Sequence, residues 1–62
     1  MSAFTAKDKL KAVERELSRR RGLYVRLVAE GKMSQAVADA QIAIFDAIAN
    51  DYSMLADKDL LS

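Results

Sequence analysis

Neither cysteine nor histidine occurs in the 62 residues of this chain. The first absence excludes disulfides and thiolate metal sites. The second removes the commonest zinc ligand and the commonest general base at neutral pH. Proline is missing too, and glycine is confined to Gly22 and Gly31. That composition suits long uninterrupted helices and argues against a loop-rich or disordered chain. Long apolar runs are also lacking. The most apolar segment, 36–49, is broken by Asp39 and Asp46, well short of the ~20 residues that span a bilayer. The start, M-S-A-F-T-A-K-D-K, turns charged before the core of a signal peptide could form. The expectation is a soluble, cytoplasmic protein with no membrane partner. A chain this short has a marginal core, and without disulfide or metal the remaining staple is self-association.

What the sequence does contain is an alanine-rich helical pattern from Ser34 to Leu55. At ~100° per residue, Gln35, Asp39, Asp46 and Asn50 gather on one narrow strip. Val37, Ile44, Ile48 and Leu55 lie opposite, Phe45 and Tyr52 beside them, and Ala38, Ile42 and Ala49 carry the apolar surface round toward the strip. That arc is roughly 200° wide, about twice what one core-facing helix needs. One partner helix cannot cover it, so a second copy or another protein is expected on the remainder. On this reading Ile44 sits in the contact within the chain. Ile42 lies farther round, and Tyr24, Ile42, Phe45, Ala49 and Tyr52 form the contact between copies.

The preceding stretch predicts another helix. Leu10, Val13, Leu17, Tyr24 and Val28 share one face, flanked by Leu27, while Arg20 and Arg21 border it where a further apolar residue is expected. Thr5 is the expected cap, accepting from the Asp8 amide, with Ser2 as a competitor. Gly31 suits the left-handed step after a helix end, and Ser34 suits the next N-cap, with Met33 packing back across the corner. The expectation is one all-α domain over 1–62. It has a helix at about 6–30, a turn at 31–34, an antiparallel helix at about 35–55 and a polar tail. The hairpin self-associates, most simply into a dimeric four-helix bundle.

Charge is segregated. Lys7 to Arg26 carries eight basic residues against three acidic, whereas Leu27 onward carries Lys32 and Lys58 against six acidic. These segments are +5 and −4, which leaves the net +1. Lys11, Arg15, Arg19, Arg20, Arg21 and Arg26 form a candidate surface for a protein partner or for nucleic-acid phosphates. Lys11, Arg15 and Arg19 align at intervals of four, and Arg15, Arg19 and Arg26 point away from the apolar face. Two plainer uses compete and together come first. One is a solvated face moderated by Glu16 with Arg20 and Arg26 with Glu30; the other is pairing with Asp39, Asp46 or Asp51 of a neighbouring helix. Tyr24 and Tyr52 lie on apolar faces, where core packing is the expected role. Asp51 falls among Ile44 and Ile48, either solvated or paired with Arg20 or Arg21. Gly22, inside the first helix, is read as a tolerated loss of helix propensity rather than a kink. No catalytic arrangement, metal-ligand spacing or cofactor motif is recognisable, so the expectation is a non-enzyme without a cofactor.

The stretch from Arg19-Arg20-Arg21 through Tyr24, Gly31-Lys32-Met33 and Ala38-Asp39 to Asp51-Tyr52 resembles a small family of uncharacterised bacteriophage and prophage proteins. The likeness runs roughly from Val13 to Tyr52, most of a small domain. Val25 stands where similar sequences have proline, which implies a smoother first helix. The resemblance implies a phage setting and assigns no catalytic residues. The leading expectation is a phage factor that binds and modulates a host protein. The alternative is an accessory nucleic-acid-binding protein of phage DNA metabolism.

Overall fold

The structure, a computed structural model, describes the backbone of residues 3–61 and the side chains of residues 3–58. Two helices, α1 (Ala6–Ala29) and α2 (Gln35–Leu61), pack against one another as an antiparallel hairpin. No strand occurs among the described residues.

Local chemistry fixes each end. The Thr5 hydroxyl accepts from the Asp8 amide at 3.1 Å, and the Asp8 carboxylate accepts from the Thr5 amide at 3.1 Å. This reciprocal capping box satisfies two otherwise orphaned donors and sets a negative charge against the positive end of the helix dipole. The competing cap, Ser2, lies outside the described residues. At the other end Gly31 takes a φ of +72°. Its amide donates to the Val28 carbonyl at 3.0 Å, and the Lys32 amide donates to Leu27 at 2.9 Å. That pair of bonds is the Schellman motif, which closes the last open carbonyls of a helix. Three residues on, the Ser34 hydroxyl accepts from the Val37 amide at 3.1 Å and starts α2. Met33 is half-buried at the corner.

α2 does not end near Leu55 but runs on to Leu61. Nothing in 56–61 breaks a helix, and Ala56 is half-buried on the side that faces α1. Packing at Ala56 and the lack of any breaker in 56–61 are consistent with the helix running past the point where its strongest apolar pattern stops.

The seam is formed on α1 by Leu10, Val13, Leu17, Tyr24 and Val28. On α2 it is formed by Ala38, Ile42, Phe45, Ala49, Tyr52 and Ala56, all of them buried or half-buried. The α2 positions step by four and three, the spacing of a coiled-coil seam. Ile42, Phe45, Ala49, Tyr52 and Tyr24, expected between copies, are therefore used within the chain. Ile44, expected inside, is 53% exposed. The reason is polar. The row one residue back, Val37, Gln41, Ile44, Ile48, Asp51 and Leu55, would set Gln41 and Asp51 against α1. The row through Ala38 and Phe45 keeps Asp51 exposed and leaves Gln41 half-buried at the edge of the seam.

The result is long and thin, 47 × 17 × 16 Å. Its radius of gyration is 14.4 Å, where a compact domain of this length has about 11 Å. Among the described residues only Leu17, Tyr24 and Ala38 are more than nine-tenths buried.

Candidate functional site

The hairpin divides the arginine run by function. Arg20 occupies the helical step between Leu17 and Tyr24 and turns toward the seam. Its Nε donates to the Glu16 carboxylate at 2.7 Å, and its Nη1 donates to the Tyr24 hydroxyl at 2.8 Å. The guanidinium carbon lies 4.5 Å from the centroid of the Phe45 ring, within cation–π range. The Tyr24 hydrogen bond first, and then the Glu16 bond, hold the Arg20 guanidinium above its ordinary pKa. Its charge is thus fixed at every working pH. Arg20 takes the place of an apolar residue because its stem and planar head pack while its donors are satisfied.

Arg21 reaches across the hairpin to α2, its Nη2 donating to the Asp46 carboxylate at 2.9 Å. Both side chains are about half exposed (54 and 51%), so this pair contributes only ~0–1 kcal/mol. Beside it, Tyr24, Val28, Ala38, Ile42 and Asp39 help line an open groove of about 590 Å³ between the helices near the turn. Lys9 sits 5.8 Å from the Tyr52 ring centroid toward the other end.

Lys11, Arg15, Arg19 and Arg26 are exposed on the outer side of α1. No salt bridge to these four occurs among the described residues. Glu30, the expected partner of Arg26, pairs with Lys32 across the turn at 3.1 Å instead. Gly22 lies in this outer strip, and a Cβ there would meet nothing within 4 Å. The six basic residues nominated from the sequence thus form an outer strip of four, a half-buried Arg20 at the seam and an exposed Arg21 paired across it.

A second surface lies where the sequence places the middle of the apolar arc of α2. Val37, Ile44 and Leu55 are 50, 53 and 49% exposed, and Ile48 and Met54 are open as well. Val37, Ile44, Ile48 and Leu55 lie about 100° round α2 from the seam, a one-residue offset, whereas Met54 lies on the far side of the helix. The signal for them was present in the two overlapping heptad rows of α2: a hairpin covers one row and leaves the other. Asp51, within the outer row, is exposed.

Among the described residues no three acidic side chains come together as a cation cage, and no helix is long and apolar enough to cross a membrane. Comparison of the chain with protein-family models, with curated proteins and with solved structures finds no match.

Proposed function

We propose that the chain is a non-catalytic, self-associating helical interaction protein: a phage-encoded factor that acts in the host cytoplasm by binding and modulating a host protein. The observation that supports it is the outer row of α2, where Val37, Ile44, Ile48 and Leu55 stand exposed in sequence-regular order. Large apolar side chains in a continuous patch mark an association surface, whereas scattered ones do not. Self-association covers that row and supplies the stability that the three residues buried among the described ones cannot. The outer strip of Lys11, Arg15, Arg19 and Arg26 then stays free for a partner with an acidic surface. The phage setting rests on the resemblance alone.

The test of self-association is light scattering during size exclusion. A mass at least twice 6.9 kDa is expected, and a folded monomer at micromolar concentration refutes the reading. Capture from host lysate with the native chain, set against a variant with Arg15, Arg19 and Arg26 replaced by alanine, tests the partner surface. A protein retained by the first and lost with the second is the expected result.

A second reading, an accessory nucleic-acid-binding protein, draws on the same outer strip, because its four cations have no internal salt bridge among the described residues. Phosphates would take the place of the acidic partner, with affinity falling steeply as salt rises.

A further inference from the structure

The outer row of α2 has an order that specifies more than stickiness. Its positions, Val37, Gln41, Ile44, Ile48, Asp51 and Leu55, step by four, three, four, three and four, the spacing of a coiled-coil core. They are also a mirror about Asp46: Val37 matches Leu55, Gln41 matches Asp51, and Ile44 matches Ile48. A two-fold axis that sets two antiparallel copies of α2 side by side at this centre brings each position onto its mirror.

We propose that α2 pairs antiparallel with α2 of a second copy in this register. Four apolar layers form, two of Ile44 with Ile48 and two of Val37 with Leu55. Between them the Gln41 side-chain amide of each copy donates to the Asp51 carboxylate of the other. This inference rests on the self-association proposed above and adds its orientation and register.

Three observations support the second copy as occupant. First, the polar residues are complementary only in this arrangement. A parallel pairing in register puts Asp51 against Asp51 inside an apolar seam, where like charges repel and neither is solvated. A single polar position in a coiled-coil core is known to select register. Second, Asp39 and Asp46 lie roughly opposite the row around α2, and Asp46 is already held by Arg21. The acidic helix can therefore meet its own copy without bringing those charges together. Third, the chain exposes 4874 Å², against about 4000 Å² for a compact folded chain of its mass. The surplus is close to the ~800 Å² that one partner contributes to a standard interface. Burial against α1 on one side and against the second α2 about 100° away fits a helix in a four-helix bundle. The product has two α2 helices paired at its centre and an α1 on each.

The lack of native cysteine makes the register directly measurable. Val37→Cys and Leu55→Cys each alter an exposed position, so circular dichroism should show both folded. In the proposed dimer Cys at 37 of one copy faces Cys at 55 of the other. Two copies of the same variant hold their thiols ~27 Å apart. Refolding the variants together and treating them with a short bis-maleimide should give covalent dimer. Either variant alone should give only background. Covalent dimer from Val37→Cys alone would show a parallel pairing and overturn the proposal. A dimeric mass with no crosslink in any sample would show that another face is used, and would overturn the register while leaving self-association intact. A monomeric mass would overturn both. Asp51→Leu supplies an independent check: it should preserve the dimer but allow Val37→Cys to crosslink with itself, because nothing then forbids the parallel pairing.

Discussion

The guanidinium of Arg20 stacks on the ring of Phe45, 4.5 Å from its centroid, while its donors are held by Glu16 and the Tyr24 hydroxyl. One side chain thus ties two turns of α1 to the middle of α2. Replacing Arg20 by alanine removes a packing surface, a hydrogen-bond hub and the partner of two polar groups together. Arg19→Ala removes an exposed cation and should stay within about 0.5 kcal/mol of the parent. The expected result is a clearly lower melting temperature for Arg20→Ala, read by circular dichroism, with Arg19→Ala close to the native chain. Equal melting temperatures would deny Arg20 its structural role.

The same cluster predicts a sign for pH. Arg20 is held above its ordinary pKa in the folded chain. Its contribution is therefore fully present below the unfolded value and is lost only as pH rises through the folded one. Both lie beyond the range of any practical buffer. The stability difference between the native chain and Arg20→Phe should thus show no arginine-linked change between about pH 6 and pH 9. Melting curves across that range would reveal any departure.

Ile42 and Ile44 should respond oppositely to a charge. Ile42→Asp sets a carboxylate in the seam beside Tyr24 and should cost roughly 3 kcal/mol or more, enough to unfold a small hairpin. Ile44→Asp places it on the open row, so helical content should persist while the mass falls to that of one chain. Circular dichroism and light scattering on both variants decide this. Loss of fold in Ile44→Asp with a folded Ile42→Asp would mean that α2 is rotated the other way.

Gly22 offers a test of the outer strip. A Cβ there meets nothing within 4 Å, so Gly22→Ala should stabilise the chain by about 0.5–1 kcal/mol through helix propensity. If a partner backbone approaches closely between Arg19 and Arg26, the same change should weaken that binding despite the added stability. Thermal melting and a pull-down of the captured partner give the two readings.

If nucleic acid is the ligand, Arg15→Ala and Arg19→Ala should each weaken binding equally for all sequences. Each should also lower the salt slope by about one. Arg21→Ala should do less, since its guanidinium is engaged by Asp46. Electrophoretic shifts at several salt concentrations would show this, and no shift of any duplex or single strand at low salt would end the nucleic-acid reading.

The parts of the fold that depend on neighbours in sequence were legible before the structure. Thr5 with Asp8, Gly31 and Ser34 mark helix ends because capping is decided within four residues. The border position of Arg20 and Arg21 and the Glu16–Arg20 pair were legible too. Of the two arginines, however, only Arg21 takes an aspartate of α2, while Arg20 turns to Tyr24 and Phe45. The rotation of α2 was not. Its two rows differ by one residue and are almost equally apolar, so periodicity cannot choose between them. The choice falls to Asp51, whose charge stays exposed in the observed rotation, and to Ala38, Ala49 and Ala56, which let the helices approach. Leu61 as the last helical residue was hidden for a related reason. The residues past Leu55 carry no Gly or Pro, but their weak apolar pattern gave no cue that the helix runs on to Leu61.

The left-handed backbone at Gly31 has a consequence for the shape of any assembly. It is the one described residue with a positive φ, and it alone reverses the chain. A β-branched residue there, as in Gly31→Val, pays a steric penalty in the reversed form that it escapes in a continuous helix. Residues 6–61 wound as one helix make a rod of about 84 Å, which small-angle scattering would separate from the hairpin's 47 Å extent. Such a rod carries the same apolar rows but must find its α1 contacts on another molecule, by domain swapping. A single missing Cβ thus decides whether each subunit closes on itself before it meets another, or exists only as half of an intertwined pair.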